Sequence, residues 1–277
     1  MALEHIACPA CGADDSDPWG AENGYQAVSC RSCGLLYVNP RPSGDQISEA
    51  TRIGMHQTEA GQLNLVAKRY PARIAALADR IRAMFSDEIA AGKPMRWLDV
   101  GAGFGETVEA AMAALPPGSE VIGVEPMQPK VAAAQALGLP IVDTPLAALP
   151  GGYDVISLIN VFSHIPDFKD FGAQIARLLA PGGSVWIETG NVANIERDDY
   201  PDRLYLPDHL VFAGPEQMRR ILSDLGLTVV MVDPHRVDGP LYTLKAIAKS
   251  VVDGRPRLRL PWTSPFRQVH YKATLNG

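Results

Sequence analysis

The chain's four cysteines stand in two Cys-x-x-Cys pairs near its start, Cys8-Pro-Ala-Cys11-Gly and Cys30-Arg-Ser-Cys33-Gly, with 18 residues between them. Two residues between thiolates put both sulfurs on one knuckle, and the glycine that follows lets the backbone amides turn toward them. Two such knuckles make a tetrahedral four-sulfur site of the kind zinc takes. The role of such a site is structural, because four thiolates leave no position open for water or substrate. Gly34-Leu35-Leu36-Tyr37-Val38 supplies a ribbon strand after the second knuckle. One alternative is a pair of disulfides, which fits poorly with first residues that carry no secretory leader pattern. Another is a redox-active thiol pair, which belongs in a βα unit rather than in a loop rich in glycine and aspartate.

A second constellation is Trp97-Leu98-Asp99-Val100-Gly101-Ala102-Gly103-Phe104-Gly105-Glu106. It predicts a strand that runs through a tight turn into a helix, with glycines that let the backbone approach a ligand closely. The next strand, Val121-Ile122-Gly123-Val124-Glu125, ends in a carboxylate 20 residues beyond Gly105. An acid at that place can accept hydrogen bonds from both hydroxyls of a ribose. The spacing is Gly-x-Gly-x-Gly rather than Gly-x-Gly-x-x-Gly, which disfavours a dinucleotide pyrophosphate. Asp99, expected beside the ligand, would repel phosphate and suit a cation. The plain alternative is a turn that only packs and binds nothing.

These groups need a scaffold. From Met95 onward, strands at Arg96–Val100, Val121–Glu125, Asp154–Ile159, Ser184–Glu188 and Thr228–Val232 alternate with helices. The helices follow Gly105 and Gln128 and cover Asp167–Leu179, stopped by Pro181-Gly182-Gly183, and Pro215–Leu225. That alternation builds a parallel sheet with crossover helices. Ahead of it, Ile74, Leu77, Ala78, Ile81, Met84 and Phe85 recur at helical steps, predicting a helix from about Pro71 to Gly92. After Pro240 come a short helix at Leu241–Val252, the segment Arg255-Pro-Arg257-Leu-Arg259, read as a charged edge strand or a phosphate contact, and a late strand near Gln268–Leu275. The expected organisation is a zinc ribbon over 1–45, a helical lid or linker over 46–92, and the ligand-binding α/β domain with a C-terminal extension over 93–277.

With 277 residues, 47% of them apolar and 20% charged, the chain buries a core readily. A formal charge of −6 argues against a general nucleic-acid coat or an anionic membrane surface. No run of about 18 uncharged apolar residues exists to span a membrane. With no leader pattern, the compartment expected is the reducing cytoplasm.

The string Leu98 to Gly105 resembles motif I of the class I S-adenosylmethionine-dependent methyltransferases. The rest follows in order: Glu125 at the ribose position, Val142-Asp143 at the adenine position, and Tyr153-Asp154-Val155-Ile156-Ser157-Leu158-Ile159-Asn160 as a fourth strand. Then come His164-Ile165-Pro166-Asp167 and Leu178-Leu179-Ala180-Pro181-Gly182-Gly183. The likeness covers about 95 to 232 and implies a Rossmann-like, seven-stranded, mostly parallel sheet. It implies that Gly101 and Gly103 line the methionine part of S-adenosylmethionine, Glu125 holds the ribose, Met127 packs on adenine and Asp143 meets its amino group. Asp99, Ala102 and Asn160 complete the expected cofactor-binding set. The cysteine pairs, Asn39-Pro40-Arg41-Pro42 and Leu206-Pro207-Asp208-His209-Leu210-Val211-Phe212 narrow the likeness to bacterial methyltransferases with an amino-terminal zinc ribbon. Many of these act on deoxysugars, glycans or secondary metabolites. The sugar C-methyltransferases among them carry a further carboxy-terminal domain without a counterpart in this sequence, a departure that counts against the C-methyl reading.

Methyl transfer from a sulfonium is an in-line displacement, and most of its catalysis is positioning. A hydroxyl acceptor is helped by a general base, for which neutral imidazole suits pH 7. His164 and His209 fall where the chain leaves the carboxyl ends of the fourth and fifth strands, the ligand edge of an open α/β sheet. Asp208 is the expected orienting partner of His209, and Tyr205 a wall of the acceptor pocket; the bland account of His164 is a helix-start residue bonded to backbone. The leading expectation is methyl transfer to a small-molecule hydroxyl, on a nucleotide-sugar, glycan or secondary metabolite. The alternatives are C- or N-methylation of a sugar, an RNA or protein methyltransferase using the ribbon to bind substrate, and a non-catalytic binder. Residues 1–45 carry Arg31 and Arg41 against six acids, which disfavours nucleic acid.

Overall fold

The computed structural model describes residues 3–53, 70–200, 203–236 and 264–276, together with Leu244, Ile247, Ala248 and Val251, all four helical. The remainder of the Leu241–Val252 helix, the Arg255–Arg259 segment and His56 lie outside the described residues.

The amino-terminal strands are short: β1 (Leu3–Glu4), β2 (Ser16–Glu22), β3 (Tyr25–Cys30), β4 (Leu36–Val38) and β5 (Arg41–Pro42). β2 and β3 pair antiparallel through Asn23-Gly24, whose φ values of 54° and 82° are those of an Asn-Gly hairpin turn. Strands this small cannot bury a core alone. Cys8, Val28, Cys30, Leu35 and Tyr37 instead join the core that lies under the main sheet. Helix α1 (Gly44–Ile53) follows.

Helix α2 (Pro71–Met84) has proline in its first turn and buries Leu77, Ala78, Ile81 and Met84. The helix predicted to run on to Gly92 breaks at Phe85, which turns fully into the core, before a short α3 (Ser86–Ala90). The main sheet then assembles from β6 (Arg96–Val100), β7 (Glu120–Val124), β8 (Ile141–Val142), β9 (Tyr153–Ile159) and β10 (Leu179–Gly190), with β12 (Leu227–His235) and β13 (Gln268–Leu275). Its order is β8-β7-β6-β9-β10-β13-β12, and β13 runs antiparallel to both neighbours. The crossovers are α4 (Glu106–Ala114), α5 (Gln128–Gln135), α6 (Phe168–Leu178) and α7 (Pro215–Asp224). Asp167 caps α6 by accepting from the amides of Lys169 and Asp170. β10 starts five residues earlier than its apolar run predicts, with an irregular register where Pro181-Gly182-Gly183 interrupts pairing.

Each sheet face has its own packing. On one, Ala110, Ala111 and Ala114 of α4 present small side chains to α2, and Ile81 joins Trp97, Val155 and Trp186. Phe85 and Trp97 meet edge-on, their centroids 5.1 Å apart, as do Trp97 and Trp186 at 6.0 Å. Burying a side chain such as Ile81 is worth about 1.5–3 kcal/mol. α2 is thus a covering layer of the sheet. On the other face, Ile175 and Leu178 of α6 and Ile221 and Leu222 of α7 pack on Ile156, Leu158, Val185 and Ile187.

One pairing joins the amino-terminal strands to a segment far along the chain. β11 (Val211–Phe212) adds antiparallel to β4, extending the ribbon sheet to four strands in the order β11-β4-β3-β2. Among the described residues no helix is long and apolar enough to cross a membrane.

Candidate active site

Between β6 and α4, Gly101, Gly103 and Gly105 take φ values of 70°, 56° and 89°, a region side chains rarely enter. A Cβ on Gly101 would lie 2.5 Å from Val161, and one on Gly105 2.5 Å from Leu139; one on Gly103 would meet nothing within 4 Å. Gly103 therefore faces open space. Its amide donates to Glu125 Oε2 (2.9 Å), and the amide of Met127 donates to Oε1 (3.1 Å). The carboxylate ending β7 pins the glycine turn to the following loop.

Turn and carboxylate border a cavity of about 680 Å³, walled by Val100, Gly101, Val124, Glu125, Pro126 and Gln128, by Asp143 to Leu146, and by Glu49, Arg52 and Ile53 of α1. That size lies within the ~300–1,000 Å³ of small-molecule sites. The α1 wall falls at the start of the stretch expected to form a helical lid or linker, although Glu49, Arg52 and Ile53 carry no sequence signature of their own. Asp143 sits on the rim, where the Gln128 side chain bonds it. Met127 and Ala102 are buried behind the wall. Asn160, exposed, takes φ 58° as the chain leaves β9, and its amide donates to the Glu188 carbonyl (3.1 Å).

Asp99 sits differently from expectation. It is 2% exposed and is not among the residues that border the cavity. The indole N–H of Trp97 donates to Ser157 Oγ (2.9 Å), and the Ser157 hydroxyl donates to Asp99 Oδ1 (2.6 Å). Burial pushes the Asp99 carboxyl up to about 7, against the Ser157 hydrogen bond and helped by the charge of Glu125. A fully buried strand gives no alternation from which to read which way Asp99 faces.

At the carboxyl ends of β9 and β10, the fold brings His164 to Asp208 and His209. His164 Nδ1 lies 2.8 Å from the main-chain oxygen of Asp208 and 3.4 Å from its Oδ1. A carbonyl only accepts, so Nδ1 carries the proton and Nε2 the lone pair. Asp208, the expected orienting partner of His209, contacts His164 as well, and the carboxylate and both imidazoles have polar atoms within 4.8 Å of one another. The His164 and His209 rings stand edge to face with centroids 4.8 Å apart. His209 also meets the rings of Tyr205 and Phe212, each at 5.8 Å.

Residues 67–232 match the model of a family described as a methyltransferase domain. This chain belongs to that methyltransferase family. The ubiquinone biosynthesis O-methyltransferase of Mesorhizobium japonicum is 32% identical over 168 residues, 55% of this chain and 66% of that one. The enzyme of the same name from Xanthomonas campestris pv. campestris is 28% identical over 167 residues, 56% of this chain and 67% of that one. The methyltransferase thus matches about two thirds of the length of these curated relatives. A SAM-dependent methyltransferase from Leishmania major superposes with a TM-score of 0.52 at 15% identity, over 83% of this chain and 82% of that one, which is a likeness of fold.

The cleft of this methyltransferase fits S-adenosylmethionine. The open face of Gly103 admits a ligand against backbone, Glu125 stands at a strand end where ribose hydroxyls are held, and the cavity has room for a nucleoside with its amino-acid arm.

The four cysteines also come together. Cys8 and Cys33 sulfurs lie 3.6 Å apart and Cys11 and Cys30 sulfurs 3.5 Å, all four within 4.8 Å of one another and none in a disulfide. The two knuckles repeat each other: Gly12 donates to the Cys8 carbonyl and Gly34 to that of Cys30, each at 2.8 Å. Four sulfurs so converged fit a structural zinc ion.

One further cluster escaped the sequence. Glu188, His235 and His270 lie within 4.8 Å of one another beside Trp186. The imidazoles stack nearly parallel, 9° between planes and 4.8 Å between centroids, so one ion cannot lie in both ring planes. His270 Nδ1 accepts from the Trp186 indole (3.2 Å), and burial holds it neutral, pushed down to about 2.

Proposed function

We propose that this methyltransferase moves the methyl group of S-adenosylmethionine to a hydroxyl of a small molecule, a sugar or a secondary metabolite, with zinc in the cysteine knuckles as a structural ion. The observation that carries this reading is the contact between His164 and Asp208, which leaves a neutral imidazole's Nε2 lone pair at the carboxyl edge of the sheet. The cofactor supplies an electrophilic methyl group carrying the positive charge of its sulfonium. Glu125 would accept hydrogen bonds from the ribose, Asp143 would take the adenine amino group, and the Gly101–Gly103 backbone would hold the amino-acid arm. As the acceptor oxygen gains the methyl group its proton passes to His164 Nε2, and the Asp208 carboxylate, 3.4 Å from Nδ1, stabilises the resulting imidazolium. Tyr205, 42% exposed, walls the acceptor pocket beside His209.

Two observations favour an oxygen on a small molecule. Relatives on either side of 30% identity are named O-methyltransferases. The ribbon's two arginines are engaged at home: Arg31 by Asp15 and Asp17, and Arg41 by Glu4 and the Pro166 carbonyl. That leaves a poor grip for a phosphate backbone. Cysteines outside disulfides suit a reducing cytoplasm.

The test is transfer of a labelled methyl group from S-adenosylmethionine to a panel of low-mass hydroxyl compounds, nucleotide-sugars and hydroxylated aromatics included, with the product mass and bond type read by mass spectrometry. An O-methyl ether is the expected product. Methylation on carbon or nitrogen would overturn the hydroxyl reading and leave the cofactor reading in place.

A further inference from the structure

Glu22 ends β2 at the tip of the ribbon hairpin, 183 residues before the loop it holds. Its Oε2 accepts the amide of Leu204 (2.9 Å) and its Oε1 the amide of Tyr205 (3.0 Å), with the side chain only 14% exposed. The neighbouring Asn23 donates from Nδ2 to the Leu206 carbonyl (2.8 Å). Tyr205 between them takes φ 58°, a left-handed conformation that a bulky residue keeps only where its surroundings impose it. The Tyr205 carbonyl then accepts the amides of Asp208 (2.9 Å) and His209 (3.1 Å). Beyond them the Val38 amide donates to the Leu210 carbonyl (2.9 Å), and β11 pairs with β4. The ribbon therefore grips the chain on both sides of Asp208-His209. The β4–β11 pairing anchors one side to the knuckles, and the Glu22 carboxylate sets the turn on the other.

We infer that Glu22 is a positioning residue of the acceptor site: through it the ribbon hairpin fixes the left-handed turn at Tyr205 and so the reach of Asp208 and His209 toward His164. The inference rests on the reading of His164, Asp208 and His209 as the acceptor side of the active site. Each carboxylate oxygen serves one amide and Oε1 also pairs with Arg203 (3.3 Å), so Glu22→Gln, nearly the same size, sets an NH₂ group against an amide donor and removes the ion pair. Glu22→Asp keeps both oxygens on a shorter stem and draws the turn toward the hairpin. Arg31→Ala removes two exposed ion pairs elsewhere on the ribbon, to Asp15 and Asp17, and serves as the control.

The experiment is a proton–carbon correlation spectrum of the histidine rings in the full chain, alongside calorimetric titration with S-adenosylhomocysteine. The expected result is displacement of the His164 and His209 resonances in both Glu22 variants, with those of His5, His235 and His270 unmoved, cofactor-product affinity unchanged, and no displacement in Arg31→Ala. Resonances of His164 and His209 that stay in place in the Glu22 variants overturn the inference, as does a displacement shared equally by His235 and His270. Failure of the underlying reading is separate: His164 and His209 move in the Glu22 variants, yet His164→Ala still transfers methyl at the full rate. That result keeps Glu22 as the residue that positions the loop and removes the loop from catalysis.

Discussion

His164 and Asp208 meet across 44 residues of chain, with the imidazole Nδ1 at 2.8 Å from the main-chain oxygen and 3.4 Å from the carboxylate. The main-chain oxygen accepts from Nδ1, so in the neutral ring Nε2 is the nitrogen with the lone pair. The His209 ring stands edge to face with the same imidazole, their centroids 4.8 Å apart.

The roles in that contact separate by mutation. His164→Ala lowers kcat by about 10²–10⁴, the range for a positioned general base, with affinity for S-adenosylhomocysteine unchanged. Asp208→Asn costs less, because the main-chain oxygen still holds the tautomer. Initial rates on the labelled acceptor read both, and equal losses in the two variants would contradict the division.

Glu125→Ala weakens cofactor binding while the fold stays intact. Hydrogen bonds to a charged group are worth about 1.5–3 kcal/mol each, so losing the ribose pair lowers affinity by at least about tenfold. Calorimetry with S-adenosylhomocysteine measures it. Unchanged affinity would remove the ribose assignment and leave Glu125 as a clamp on the Gly103 and Met127 amides.

Asp99 gives the cofactor-free protein a pH-dependent stability of known sign. Its carboxyl rises from an ordinary 3.8 to about 7 because it is buried. Between those values the folded protein holds a proton that the unfolded chain has released, so this group makes stability fall as pH rises from about 4 to about 7. Asp99→Asn, which still accepts from Ser157, removes that part of the slope. Urea unfolding of both proteins at pH 5 and pH 8 checks it: the wild type loses more stability than the variant between the two, and equal losses would show Asp99 to be already ionised in the folded state at pH 5.

Cys30→Ser lowers bound zinc and loosens the ribbon, with cofactor binding still measurable, since the knuckles lie apart from the cleft-bordering residues. Metal analysis by mass spectrometry together with the S-adenosylhomocysteine titration separates the effects. Full zinc retention would sink the four-sulfur site.

Elements made by one continuous segment were legible in the sequence. β6 runs over Arg96–Val100 as its apolar run predicts, the glycines after it take left-handed φ, and both Cys-x-x-Cys-Gly turns form knuckles. Glu125 meets the turn because strand, turn and next strand form one local unit. What local pattern does not carry is pairing between distant segments. Nothing in Val211-Phe212 announces β4 as its partner, and nothing in Glu22 points to Tyr205. The meeting of His164 with Asp208 and His209 was hidden for the same reason: tertiary packing brings together groups 44 residues apart that no local pattern relates. The break at Phe85 and the inward face of Asp99 are decided by the packing of Trp97, Trp186 and Ser157, which periodicity does not report.

The most direct test of the central claim incubates the protein with methyl-labelled S-adenosylmethionine and a crude cell extract, followed by ultrafiltration. The account predicts label in the low-mass fraction, abolished by Glu125→Ala at limiting cofactor and strongly reduced by His164→Ala. Label retained on macromolecules, and released by nuclease or protease, would contradict it and give the ribbon a substrate-binding role instead.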